Sequence, residues 1–404
     1  MKRTLLILTA VFHLGAFSLY AFDFGLVFSQ DVDVDVPAFN FNETGLDISG
    51  VLLPRFSALL GEKGSLYISA AINYKADPFI IIPELMRTDV NFNFGNIILN
   101  AGRMFYSDPL GITANGLFDG AHISIITRNG NIRVGGLYTG LLYRERAAIT
   151  MTSEELKSNN VKVNYEDFAN TYFAPRRILA ALEYDHPSLA GFIGLKASIL
   201  TQFDAGGENL NSQYFTAALS VPVKSFIFDL GGCLELIEYK EYKNEITPAF
   251  AANIGLTYML PAKLEKHIRL SWRYSSGMSE DETIGAFLPL TTVPQEELVE
   301  AKFSGLSLLS LDFTGRLDKS LSANAAFIYF IRTDKGTYKY YPVTDGTTEG
   351  FLLGAEIFGR LIWNITSGIR LNFGTGVFIP AFGDVARDAD VLWRTKLNLV
   401  FSIY

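Results

Sequence analysis

The fold of this chain is decided by the stretch FDFGLVFSQDVDVDV, residues 22–36. Its even positions are apolar except for Gln30, and its odd positions hold Asp23, Ser29, Asp31, Asp33 and Asp35. A period of two indicates a β-strand, because successive side chains of a strand point to opposite faces. The stretch therefore predicts a strand that buries an apolar face and exposes a row of carboxylates to water.

Composition favours a large β-structure and limits the partners. The chain has 404 residues, of which 49% are hydrophobic and 19% charged, with 32 Phe, 19 Tyr and 35 Gly. Its mean hydropathy of +0.21 is high for a water-soluble protein. A net charge of −8 argues against nucleic acid as a partner. The one cysteine, Cys233, excludes an intramolecular disulfide framework and a multi-cysteine zinc site.

The first 21 residues, MKRTLLILTAVFHLGAFSLYA, have the pattern of a cleaved secretory signal peptide. Lys2 and Arg3 form the basic region, an apolar core follows, and the run ends on a small residue, Ala21. We therefore expect a signal peptide over residues 1–21 and a single domain over residues 22–404.

Beyond the signal, no apolar window is long enough for a transmembrane helix. The chain instead divides into 18 alternating segments, and the connections between them are short and long in turn. This pattern predicts an all-β fold, a single transmembrane antiparallel up-and-down β-barrel with short periplasmic turns and long extracellular loops. Pro54 lies within one segment and Pro83 beside another, so a count of 16 stays open.

The polar faces of these strands provide the candidate pore lining. The charged residues predicted to point into the lumen are Arg133, Lys196, Arg269, Arg273, Asp312, Arg316, Glu356, Arg360, Arg370, Arg394 and Lys396. Acids concentrate in the first two strands and cations in the last six. This distribution would produce a transverse electric field across a pore. An equally weighted alternative is that the charges form a ladder of ion pairs between neighbouring strands. Asp31, Asp33 and Asp35 could hold Ca²⁺, but solvated carboxylates paired with arginine are favoured.

Two long connections, 144–176 and 276–306, carry helix signals. Thr152 and Glu155 have capping-box spacing, and Pro294 precedes a run of helix formers that ends at Lys302. Either connection could fold inward as a constriction or stand outside as a lid or adhesive surface. We expect exposed acidic helix caps.

The sequence offers no catalytic constellation and no cofactor site. Of the four histidines, only His122 is expected to face the lumen, and no nucleophile accompanies it with a base. We therefore expect a protein that is not an enzyme.

Two segments resemble outer-membrane proteins. AGRMFYSDPLGITANGLFDGAHIS, residues 101–124, is similar to the Gly-Arg, loop, Asp-Gly hairpin of bacterial porin-like barrels, including spirochaete ones. The end of the chain, LWRTKLNLVFSIY, resembles their C-terminal assembly signal, with Tyr404 out of phase with the apolar face. The resemblance implies an outer-membrane location, contact with lipid and the assembly machinery, homo-trimers, and diffusion of small polar solutes.

We therefore expect a porin-type passive channel. A surface adhesin or structural barrel that acts through its loops is the second hypothesis, and an outer-membrane transporter for apolar ligands is the third.

Overall fold

A computed structural model describes residues 19–37, 44–77, 79–240, 243–261, 264–279, 283–292, 297–299, 301–334, 350–387 and 389–403. The described residues form eighteen strands: β1 Leu19–Pro37, β2 Gly45–Leu60, β3 Gly64–Ala76, β4 Phe79–Asn93, β5 Ile97–Ser107, β6 Asn115–Thr127, β7 Gly130–Tyr138, β8 Arg177–Leu189, β9 Ile193–Asp204, β10 Leu210–Val223, β11 Phe226–Tyr239, β12 Lys243–Met259, β13 Lys266–Ser275, β14 Leu306–Arg316, β15 Leu321–Arg332, β16 Leu352–Thr366, β17 Ile369–Ile379 and β18 Leu392–Ile403.

Each strand pairs antiparallel with its neighbours in sequence, and β1 also pairs with β18. The sheet is therefore a closed up-and-down barrel, which leaves no free sheet edge at its closure. The predicted fold class and the count of 18 strands are confirmed. Residues 1–18 lie outside the described part of the chain, so the signal peptide stays a prediction.

In the part of the chain that the structure describes, no helix is long and apolar enough to cross a membrane.

The outer face of the barrel is a belt of exposed apolar side chains. Phe24, Ile123, Leu230, Leu311 and Trp363, from strands spread around the barrel, are each exposed. Exposed apolar surface of this extent is not stable in water, and it indicates a face that contacts lipid.

The buried core lies inside the barrel, because long connections fold into it. We call residues 108–114 L3, residues 139–176 L4 and residues 276–305 L7. L4 contains the short helices α1 (Arg144–Ala147), α2 (Ser153–Asn159) and α3 (Phe168–Tyr172), with a 3₁₀ turn at Tyr165–Asp167. Apolar side chains of L3, L4 and L7 join inward side chains of the wall in one buried cluster.

The expectation of exposed acidic caps is therefore wrong for L4. The predicted capping box forms, with Glu155 N–H donating to Thr152 Oγ1 at 3.1 Å and the Glu155 carboxylate accepting from Thr152 N–H. However, Glu155 is buried. The reason is that its carboxylate also meets an inward arginine of the wall. Part of the second predicted helix, residues 293–296 and 300, lies outside the described residues.

Candidate pore and constriction

L3, L4 and L7 are bonded to one another within the lumen. Leu290 N–H of L7 donates to Thr113 O of L3 at 2.7 Å, and Thr292 N–H donates to Ala148 O of L4 at 2.8 Å. The Lys302 ammonium donates to Thr150 O at 2.8 Å. These three loops therefore form one inward constriction, held together largely by backbone groups.

A buried ion pair fixes α2 of L4 to the barrel wall. The guanidinium of Arg177, at the start of β8, contacts Glu155 Oε1 at 2.6 Å, and both side chains are almost fully buried. Arg177 also donates to Gln202 Oε1 and to Leu210 O. A buried charge pair is tolerated only when such additional hydrogen bonds satisfy it. Hence Glu155 both caps the helix and anchors it.

Elsewhere in the lumen, one residue of L7 contacts three cations, two through its carboxylate and two through its backbone oxygen, with Lys396 contacting both. Glu297 forms ion pairs with Arg360 of β16 and with Lys396 of β18, the latter at 3.6 Å. The backbone oxygen of Glu297 accepts from Arg394 at 3.4 Å and from Lys396 at 3.2 Å. The predicted pore residues Arg360, Arg394 and Lys396 are thus brought together by L7.

Glu356 of β16 is covered by the same turn of L7. Its fully buried carboxylate accepts the N–H groups of Glu297, Leu298 and Val299, each at 3.2 Å. Three N–H donors stabilise a buried carboxylate in place of water. Glu356 therefore holds the loop rather than contacting solute in this arrangement.

The remaining predicted pore residues are spread along the wall. Arg133 pairs with Glu183 at 2.8 Å, and Arg269 pairs with Asp229 at 3.3 Å. Arg273 lies over the Phe303 ring, and Asp312 accepts from Ser310. Arg316 and Arg370 donate to Lys319 O and Asn364 Oδ1, in and beside the short turns.

An open region of the lumen lies between L3 and the short turns. A cavity of about 410 Å³ is lined by Arg133, Glu183, Asp185 and Lys196, together with residues of L3. A second cavity shares Lys196 and Asp185 and extends to Asp229 and Arg269. Both signs of charge line this space, which suits polar and charged solutes.

The aspartates of β1 lie beside the cations of β18. Asp35 pairs with Arg394, Asp33 is directly opposite Lys396 in the register, and Asp31 accepts from Asn398 at 2.6 Å. Among the described residues, no three His, Cys, Asp or Glu side chains are arranged to hold a metal ion. The geometry favours ion pairs over the calcium hypothesis for these carboxylates.

Burial changes the protonation of one loop cation. Desolvation lowers the pKa of Lys302 in L7 to about 8, although the carboxylates of Glu235 and Glu155 oppose this shift. A lysine with such a pKa is close to losing its charge in mildly alkaline solution.

Sequence reasoning missed two charged residues that organise this site. Glu297 was one acid in a predicted exposed helix, and no pattern connected it to cations on β16 and β18. Arg103, within the hairpin 101–124, pairs with Asp119 in a two-point contact at 2.8 and 2.9 Å. The Gly-Arg and Asp-Gly segments could have indicated this pairing.

Comparison with solved structures supports the architecture. The crystal structure of Pseudomonas aeruginosa OpdO aligns over 95% of this chain and 98% of its own, with a TM-score of 0.64 and 11% identity. P. aeruginosa OpdQ aligns over 96% and 99%, with a TM-score of 0.63 and 10% identity. Acinetobacter baumannii OccAB1 aligns over 96% and 98%, with a TM-score of 0.59 and 12% identity. These similarities show the fold.

No protein-family model matches the sequence, and no curated protein matches it significantly.

Proposed function

We propose that the chain is an integral outer-membrane channel of the porin type, through which small polar solutes or ions diffuse passively. The observation that carries the proposal is a closed barrel of eighteen strands with an apolar outer belt and a charged inner wall. A barrel of this size encloses a lumen that wall side chains alone do not fill.

The inward loops favour a selective channel over a wide one. L3, L4 and L7 occupy part of the lumen, and the space left beside them is lined by charges of both signs. The adhesin hypothesis is less well supported, because L4 and much of L7 are committed to contacts inside the barrel. A non-enzymatic role is part of the proposal.

Export and assembly follow from the same proposal. The signal peptide over residues 1–21 would direct the chain across the inner membrane. The outer-membrane assembly machinery would then recognise β18 and insert the barrel. Tyr404, the last residue of the predicted assembly signal, lies outside the described residues. A homo-trimer remains a hypothesis that mass measurement of the detergent-extracted protein decides.

The test is single-channel conductance of the refolded mature chain in a planar bilayer. Heat-dependent gel migration controls for folding of the barrel. We expect stable, ohmic steps, with a reversal potential in a salt gradient that reports ion preference. A folded barrel without conductance would contradict the proposal and would favour a closed structural barrel.

A further inference from the structure

The barrel wall is not fully paired between β4 and β5. These strands share four residue pairs, from Asn93 opposite Ile98 to Val90 opposite Ala101, whereas other neighbouring strands share eight or more. We call the unpaired stretch beyond Val90 and Ala101, toward the long loops, the seam. Both strands are described throughout, and β5 stays paired with β6 up to Ser107.

A glycine lies where regular pairing stops, and a proline lies at the far end of the seam. Pro83 of β4 has no N–H, and its carbonyl oxygen points into the seam, where Tyr172 of L4 contacts it. At Gly102, φ is +119° and a Cβ atom would lie 1.7 Å from Thr88 O. This glycine lets the backbone of β5 leave the regular ladder geometry while it passes close to Thr88 of β4, whose Oγ1 accepts from Arg103 N–H at 2.9 Å.

Side chains replace the missing ladder. Tyr172 Oη donates to Pro83 O at 2.8 Å, and Arg103 Nη1 donates to Leu85 O at 2.6 Å. Arg103 Nη2 also donates to Leu141 O of L4 at 2.8 Å. Because Asp119 fixes the same guanidinium, Arg103 joins β4, β6 and L4 at one buried point.

L4 fills the inner side of the seam with aromatic rings. Tyr172 stacks on Tyr143 and Phe168, with ring centroids 5.0 and 4.4 Å apart, and this cluster packs on Ile82 of β4. Arg146 of L4 pairs with Glu84 of β4 at 3.2 Å. The position of L4 in the lumen is therefore tied to a gap in the wall.

We propose that Arg103 and Tyr172 are positioning residues that set the aperture of the pore by clamping L4 into the seam. The inference rests on the proposed channel function, because an aperture matters only to a conducting barrel. Releasing either clamp leaves L4 tethered to β8 by Arg177 and to β4 by Arg146, but weakens its attachment at the seam. The opening between L4 and the wall would then widen.

The first test measures the position of L4 without conductance. Thr150→Cys, in a Cys233→Ala background, places a thiol on the buried side of L4 against L7. We expect Arg103→Met to raise its rate of labelling by a water-soluble maleimide about tenfold or more, because charge-assisted hydrogen bonds are lost. Tyr172→Phe, which removes one neutral hydrogen bond, should raise the rate roughly threefold.

A matched control and a folding control make this test decisive. Arg133→Met removes another inward arginine whose ion partner, Glu183, is not in L4, and it should leave the rate unchanged. If Arg103→Met does not fold, the double variant Arg103→Met/Asp119→Asn replaces it, because it leaves no unpaired carboxylate at Asp119. Unchanged labelling in the folded Arg103 and Tyr172 variants would overturn the proposal, whether or not the wild-type barrel conducts.

The second test connects the clamp to the aperture. The Thr150 and Thr292 hydroxyls are in contact, so Thr150→Cys with Thr292→Cys should form a disulfide that locks L4 to L7. Arg103→Met should raise conductance or its open-state fluctuations in the reduced double-cysteine protein, and oxidation should suppress the increase. An increase that persists after oxidation would mean that Arg103 acts through another element.

Discussion

Arg394 of β18 and Asp35 of β1 form a two-point ion pair across the closure of the barrel. Nε lies 2.5 Å from Oδ1 and Nη2 lies 2.8 Å from Oδ2, and the two residues are direct partners in the strand register. Closure thus places the acidic first strand beside the cationic last strand. A field across the lumen requires these charges on opposite walls, so at this position the structure favours the alternative of a cross-strand ion-pair ladder.

The first prediction concerns this ion pair. Arg394→Met leaves Asp35 half-buried without its partner, and we expect a loss of about 1–3 kcal/mol in stability. The temperature at which heat-dependent gel migration changes should therefore fall. Adding Asp35→Asn should recover part of the loss, because the unpaired charge is removed.

Arg370→Met is the matched control, since Arg370 lies in the same sheet region but contacts Asn364 near a short turn. It should leave the transition temperature nearly unchanged. An equal fall in both variants would mean that the closure pair contributes no specific stability.

The second prediction concerns Glu297 and ion selectivity. Its carboxylate neutralises part of the positive charge of Arg360 and Lys396. Glu297→Gln should therefore shift the reversal potential in a salt gradient toward anions, and the shift should shrink at high salt as charges are screened. Glu154→Gln removes an exposed acid of L4 that pairs only with Lys157 among the described residues, and it should leave the reversal potential unchanged. A shift toward cations in Glu297→Gln would contradict the assignment.

The strands of this barrel could be predicted because their pattern is local. Alternation such as that of Ile268–Ser275 depends on the two faces of one strand, and the structure places β13 at Lys266–Ser275. The strand count was left open because proline disfavours the interior of a strand. Pro83 lies inside β4, directly opposite Ile72 of β3, and Pro54 lies inside β2, so neither proline ends a strand.

The constriction could not be predicted, because it depends on contacts between residues far apart in sequence. Glu155 has the composition of an exposed helix cap, and only Arg177 on the wall makes its burial favourable. Likewise, the charges of Arg360 and Lys396 were visible in the sequence, but the carboxylate that joins them comes from L7. Strand parity gives the direction of a side chain, not the loop that it meets.

The third prediction tests the anchor of α2. Arg177→Met leaves Glu155 buried without its ion-pair partner, and breaking such a pair costs about 3–5 kcal/mol. We expect L4 to leave its site before the barrel unfolds, so protease should cleave within 153–172 in the variant and spare the wild type. Lys157→Met changes an exposed cation on the same helix and should stay resistant. Equal resistance of the Arg177 variant would show that packing alone holds L4.

The last prediction uses the pKa of Lys302, which burial lowers to about 8. In the unfolded chain a lysine has a pKa of about 10.4, so between these values the unfolded state binds more protons than the folded state. The contribution of Lys302 to stability therefore rises as pH increases through this window, by up to about 3 kcal/mol. Measurements between pH 8 and 9.5 avoid the range in which unfolded tyrosines ionise.

The loop packing around Lys302 should therefore become more protected as pH increases from 8 to 9.5. The labelling rate of Thr150→Cys measures this protection, because Lys302 donates to Thr150 O. A free-cysteine standard corrects the rate for the higher reactivity of the thiolate at high pH. Lys302→Met removes the titrating group and should abolish the pH dependence. The opposite result would be protection that falls with pH in the parent but not in Lys302→Met. It would mean that the charged ammonium stabilises the constriction. The pKa of Lys302 would then have to lie above that of an unfolded lysine.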